Sequence, residues 1–155
     1  MIILGIDPGT ARTGYGIIKK SRFLKCIDYN VIYTKPNPNA GKRLKEINNK
    51  LSKIIKKYQP DILAIENVYF FKNLKTAIPV SQAKGAILLT AAKKNLPVYE
   101  FSPLQVKLAV TGNGRADKKE VQEKVKEMLK LKEIPKPDDA ADALAIAITY
   151  LLKEA

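Results

Sequence analysis

Apolar and polar positions along this chain follow two rhythms, and the switches between them outline a fold. Residues 2–7 (IILGID) are an apolar run ending on an acid, and Pro8-Gly9 reads as the turn that follows. Residues 13–19 (TGYGIIK) and 23–34 read as two further strands; in the second, Ile27, Tyr29, Val31 and Tyr33 alternate with more polar neighbours. Lys35 to Gly41 (KPNPNAG) breaks the pattern, and the period then changes. Leu44, Ile47, Leu51, Ile54 and Ile55 fall on one stripe with lysines opposite, which predicts an amphipathic helix. Pro60 ends that region, and residues 61–66 (DILAIE) form another apolar strand closing on an acid. An aromatic and basic loop runs from Tyr69 to Lys75, followed by a small-residue helix from about Ala77 to Lys94. Residues 97–101 (PVYEF) read as a short strand and 103–110 as a short helix. Thr111 to Arg115 (TGNGR) reads as a flexible loop, and Asp117 as the cap of a helix whose Val121, Val125, Met128 and Leu129 share a face. Pro135 and Pro137 break the chain again before a last helix from about Asp138 to Leu152.

Three strands, helix, strand, helix, strand and helices describe an α/β protein: a mixed five-stranded sheet flanked by helices. The two nearly all-apolar strands, 2–7 and 61–66, belong in central positions covered on both faces. At 155 residues the chain suits a single domain over 1–155 and is hardly long enough for two. No apolar run approaches the roughly 20 residues that span a bilayer. Met1-Ile2-Ile3-Leu4 is too short, and too soon followed by Asp7 and Pro8, to read as a signal peptide. Cys26 is the only cysteine, so neither a disulfide framework nor a thiolate metal cage is expected. It reads as a small residue packed in a strand, and a cytoplasmic location fits.

Charge changes this picture. Lys and Arg number 28 against 15 acids, a formal balance of +13. Such a field attracts polyanions, of which nucleic acid is the commonest. The plainer alternative is a lysine-rich composition that puts Lys on every solvated helix face. Histidine is absent, which excludes Ser-His-Asp or Cys-His catalysis and the usual histidine-type zinc site. The glycines between Gly5 and Gly16 lack the Walker lysine spacing, which excludes a P-loop. Carboxylates are the main chemical resource left.

Asp7 and Glu66 each end a strand that is otherwise apolar, and functional groups gather at the carboxyl ends of strands in open α/β sheets. Each also has an ordinary reading: Asp7 as a side chain capping the Pro8-Gly9 turn, Glu66 as a solvated strand end. Whether the two strands are neighbours is not readable from spacing. Asp138 and Asp139 stand at the start of the last helix, where acids suit the helix dipole and cap free N–H groups. Asp142 follows one turn after Asp139 on the same face, within a stretch apolar almost all round. Two like charges held together in an apolar setting invite a hard cation. Magnesium prefers a few carboxylate oxygens with waters and phosphate, and paired metals suit phosphodiester hydrolysis.

GIDPGTARTGYGII, AIENVYFFKN, SQAKGA and DDAADALAIAIT, in that order and at these distances, resemble the RuvC family of Holliday-junction resolvases. The similarity extends over essentially the whole chain. The resemblance implies an RNase H-like fold, a homodimer, and magnesium-dependent nicking of two opposing strands of a four-way DNA junction in recombination and repair. It also implies a branch-migration partner, the RuvA–RuvB complex. The family's four catalytic and metal-binding acids fall on Asp7, Glu66, Asp139 and Asp142, around two magnesium ions for which manganese can substitute. Asp138 occupies a place the family does not reserve for an acid, so capping is its expected role. Tyr69 stands where the family more often has the phenylalanine that meets the junction's unstacked bases, and any aromatic face can stack. Phe70, Lys72, Lys107, Arg115 and Lys118 complete the candidate DNA contacts; for Phe70 and Phe71 a core or dimer-interface role is equally open. Three other readings stand beside this one: another RNase H-like or rRNA-processing nuclease, a non-catalytic junction-binding protein, and a nucleotide-binding ATPase. The DDAAD helix and the aromatic loop argue against the first, and the chain's length against the last.

Overall fold

The structure is a computed structural model that describes residues 1–68 and 74–155, the side chain of Leu74 apart. Its strands are β1 (Ile2–Asp7), β2 (Arg12–Lys20), β3 (Leu24–Tyr33), β4 (Ile62–Glu66) and β5 (Val98–Phe101). Its helices are α1 (Ala40–Tyr58), α2 (Leu74–Lys93), α3 (Pro103–Thr111), α4 (Lys118–Met128) and α5 (Asp138–Lys153). The strands form one mixed sheet in the order β3-β2-β1-β4-β5. The first three make an antiparallel meander, and β4 and β5 run parallel to β1.

The two-residue period of a strand sorts side chains to two faces. Leu4, Ile6, Ile17, Leu63 and Ile65 point toward α1 and α2, where Ile47, Leu51 and Ile87 meet them. Ile3, Ile18, Ile62 and Ala64 point the other way, into a core built with α3, α4 and α5. Asp7 shares the parity of Ile3 and Gly5, and Glu66 that of Ile62 and Ala64. Both strand-end acids are therefore on the α5 side.

Glycine decides how closely α5 approaches that face. Gly5 pairs with Gly16 across β1 and β2, and Asp7 with Gly14. A Cβ on Gly5 would stand 2.0 Å from the Ala143 carbonyl oxygen, one on Gly14 2.0 Å from the Asp139 carbonyl oxygen, and one on Gly16 2.7 Å from the Leu144 side chain. Real side chains cannot come that near, so the helix backbone lies almost on the sheet. Ala140, Ala143 and Ala147 complete the close packing, all fully buried.

Three details depart from the sequence expectation. The register of β3 shifts between Ile17 and Ile18 of its partner: Asp28 pairs with Ile17 but Cys26 with Ile18, so Ile27 is the extra residue of a bulge. Past the bulge the alternation changes face. Ile27 is thus 40% exposed, while the half-buried Cys26 packs toward the α5 side and Ile32 is buried toward α1. Tyr33, at the end of this edge strand, is exposed as well. Helix α2 begins at Leu74, ahead of Ala77, with Pro79 inside it. Among the described residues no helix is long and apolar enough to cross a membrane.

Candidate active site

Parallel pairing brings the two strand ends together. The β1–β4 register runs to Ile6 opposite Ile65, and the next step sets Asp7 beside Glu66. Helix α5 crosses the same end of the sheet with Asp139 and Asp142 one turn apart on the side facing β1 and β2. One carboxylate oxygen from each of Asp7, Asp139 and Asp142 lies within 4.8 Å of the others. Glu66 is outside that triplet but near enough for its charge to act on Asp7.

These carboxylates impose a field on one another. Burial pushes the Asp7 carboxyl up to about 8, and the charges of Glu66, Asp142 and Asp139 push it the same way, against the pull of Lys118. Burial also raises Asp142, although Lys118 bonds to it and pulls it down. Lys118 is held above its usual range: burial disfavours its charge, but Asp142, Asp138 and Asp7 outweigh that effect. A cluster in which an acid stays protonated at neutral pH is short of positive charge.

Among the described residues, two cations reach it. Lys118 Nζ lies 3.1 Å from Asp142 and 3.6 Å from Asp138, and Arg12 Nη2 lies 2.7 Å from Asp139 Oδ2. Lys118 opens α4, whose start is set by a capping box between Asp117 and Glu120. Arg12 opens β2, and the loop before it is pinned from two sides. Thr13 Oγ1 donates to the Gly9 carbonyl at 2.6 Å. Thr34 Oγ1 donates to the Thr10 carbonyl at 2.6 Å and accepts from Arg43 Nε at 2.8 Å. On the β4 side, Lys84 Nζ donates to Asn67 Oδ1 at 2.8 Å and Glu100 Oε2 at 2.6 Å, fixing the strand end just past Glu66.

A cleft of about 820 Å³ opens beside the carboxylates. Glu66, Asp142, Lys107 and Lys118 supply its charged wall, and Val106 and Val121 part of its apolar floor. It presents anionic groups at one end and ammonium groups beside them, which suits a phosphodiester approaching a cation site.

Of the residues singled out in the sequence, Asp7, Glu66, Asp139, Asp142, Lys107 and Lys118 thus converge at one end of the sheet. Arg115 is exposed in the loop after α3, its backbone N–H bonded to Asn113 Oδ1 at 2.9 Å, and it does not line the cleft. Tyr69, Phe70, Phe71 and Lys72 lie outside the described residues. Asp138 is not the cap expected of it. Pro137 holds the N-cap position with no side-chain cap bond, and Asp138, the first helical residue, instead pairs with Lys118 and accepts from Gln122 Nε2 at 3.3 Å. Arg12 and Lys84 lie within the GIDPGTARTGYGII and SQAKGA motifs, but nothing local to either gives it a role of its own.

A sequence model of the family described as crossover junction endodeoxyribonuclease RuvC matches residues 3–150. The crossover junction endodeoxyribonuclease RuvC of Petrotoga mobilis is 52% identical over 151 residues, 97% of this chain and 93% of that protein. Its counterpart from Caldicellulosiruptor saccharolyticus is 52% identical over 154 residues, 98% of this chain and 93% of the relative. Among solved structures, Thermus thermophilus RuvC in complex with a Holliday junction substrate superposes with a TM-score of 0.90 at 36% identity, covering 98% of this chain and 93% of that one. The chain belongs to the RuvC family of crossover junction endodeoxyribonucleases.

Proposed function

We propose that this protein is a structure-specific endonuclease that resolves four-way DNA junctions by nicking two opposing strands, in homologous recombination and repair. The observation that carries this reading is the trio of carboxylate oxygens within 4.8 Å, in a chain of net charge +13 whose fold matches a RuvC bound to a Holliday junction.

The donor set fits a hard divalent cation. It offers oxygen ligands only, and burial has already raised the cost of leaving Asp7 ionised without a counter-charge. Asp7, Glu66, Asp139 and Asp142 would hold the metal, magnesium with manganese as a substitute, and two ions suit four acids. When bound, the metal supplies Lewis-acid polarisation of the scissile phosphate and a hydroxide-like nucleophile near neutral pH. The chain's own residues do the rest. Lys107 and Lys118, on the wall of the cleft, hold the phosphate backbone beside the acids. Arg115, Lys72, Tyr69 and Phe70 extend the DNA contact, with Tyr69 stacking on an unpaired base.

The same reading makes 1–155 one nuclease domain that works as a homodimer, so that two sites address two strands. Helix α2 supports it: Ile78 and Leu89 are 61% and 55% exposed on its outer side, and nothing lies within 4 Å of where a Cβ on Gly85 would be. A RuvA–RuvB complex is the proposed branch-migration partner, and the cytoplasm the proposed location. Incubation with a mobile four-way junction, with and without magnesium, tests the proposal. Symmetric, metal-dependent nicks on opposing strands are expected, and junction binding without cleavage at any divalent concentration refutes it.

A further inference from the structure

Arg12 contributes to none of the roles above, yet its guanidinium makes the tightest ion pair that any of the four acids makes with a described cation. Nη2 lies 2.7 Å from Asp139 Oδ2, within the range of a charge-assisted hydrogen bond. Asp139 also contributes an oxygen to the triplet spanning 4.8 Å. One carboxylate is therefore claimed twice, by a fixed cation of the protein and by the ion the triplet would hold.

We propose that Arg12 is a positioning residue that competes with the metal: it is the counter-cation of Asp139 in the metal-free protein and yields that carboxylate when a divalent ion binds. The inference rests on the reading of the four acids as a metal site. A guanidinium and a divalent ion on one carboxylate repel each other at only a few ångströms, where water screens poorly. Arg12 has somewhere to go. Its side chain is 49% exposed, whereas that of Asp139 is 28% exposed and fixed on a buried helix. Its backbone is held independently of the pair: Arg12 is paired with Tyr33 on β3, and the Thr34 N–H bonds the Ala11 carbonyl at 3.1 Å. Departure therefore requires only side-chain rotation into solvent. Lys118 is placed differently, since it lines the cleft and is shared between Asp138 and Asp142.

The competing possibility is that Arg12 stays on Asp139 and orients it for the metal. The two differ in sign. Manganese binding to the whole protein without DNA is read by isothermal titration and by the electron paramagnetic resonance of free Mn²⁺. Under competition, Arg12→Ala and Arg12→Gln bind Mn²⁺ about two- to fivefold more tightly than the wild type, the scale of a half-exposed ion pair. Arg12→Lys stays within about twofold of the wild type, because the counter-charge remains. In an Asp139→Asn background, Arg12→Ala leaves the affinity unchanged, which separates a specific pair from a general loss of positive field. Unchanged or weaker binding by Arg12→Ala overturns the proposal, as does equal tightening in the Asp139→Asn background. A wild type that binds no Mn²⁺ overturns the metal site itself; binding indifferent to Arg12 overturns only the competition.

Discussion

Replacing Asp7 with asparagine preserves the side chain's shape and removes its charge, so the metal-free fold gains stability while the chemistry is lost. Asp7 sits at about 8 in the folded protein against an ordinary value of 3.8. Because the folded value is the raised one, the unfolded chain ionises first as pH climbs. From 3.8 to about 8 the unfolded state has released a proton that the folded state keeps, so stability falls across that window and levels off above it. By pH 7 roughly three units of the window have been crossed, and at about 1.36 kcal/mol per unit the ceiling is about 4 kcal/mol. Local relaxation and water entry reduce this, so a gain of about 2–4 kcal/mol is expected for Asp7→Asn at neutral pH, shrinking toward zero near pH 4. Urea unfolding followed by circular dichroism in EDTA, over that pH range, measures it. A variant no more stable than the wild type at neutral pH, or a gap that does not widen as pH rises, refutes the reasoning. In magnesium the gap narrows: the wild type gains about 2.7 kcal/mol at a hundredfold excess over Kd, and the variant does not. Metal affinity of the wild type rises with pH up to about 8, because the ion must displace the Asp7 proton. Junction binding persists in the variant and cleavage disappears.

Three further outcomes follow from particular residues. Gly14→Ala puts a Cβ 2.0 Å from the Asp139 carbonyl oxygen, so the melting temperature drops by several degrees and Mn²⁺ binding weakens, measurable by scanning calorimetry and titration. Lys118→Ala weakens binding to junctions of every sequence and lowers the slope of log affinity against log salt by about one, read by fluorescence anisotropy over a salt series. Leu89→Glu places a charge on the exposed side of α2, and if α2 forms the proposed dimer interface, sedimentation velocity reports a smaller species for the variant than for the wild type.

The elements were legible in the sequence because period is a local property. An apolar stripe at helical spacing needs no distant information to declare α1, and Asp117 announced the start of α4 as a local cap. The same holds for Asp142. An acid inside an apolar helix is anomalous wherever the helix packs, which is why it pointed to chemistry before any geometry was known. Asp7 and Glu66 could be suspected only as strand ends. Their grouping with the α5 acids came from the resemblance of four separated motifs to RuvC, not from the residues' own spacing.

Tertiary structure decided the remainder, for reasons of distance along the chain. The parity that turns Asp7 and Glu66 to one face acquires meaning only once β1 and β4 are neighbours in register. The bulge at Ile27 depends on how β3 meets β2, so the alternation read across it was misleading. Asp138 lost its capping role because Pro137 holds the cap position and Lys118, from another helix, lies within 3.6 Å. Arg12 had no role of its own until α5 settled on Gly5, Gly14 and Gly16 and brought Asp139 within 2.7 Å of it. The sequence by itself determined which segments are strands and helices and which acids are out of place. Close packing of a helix backbone on glycine determined which charges face one another, because that approach depends on residues from opposite ends of the chain.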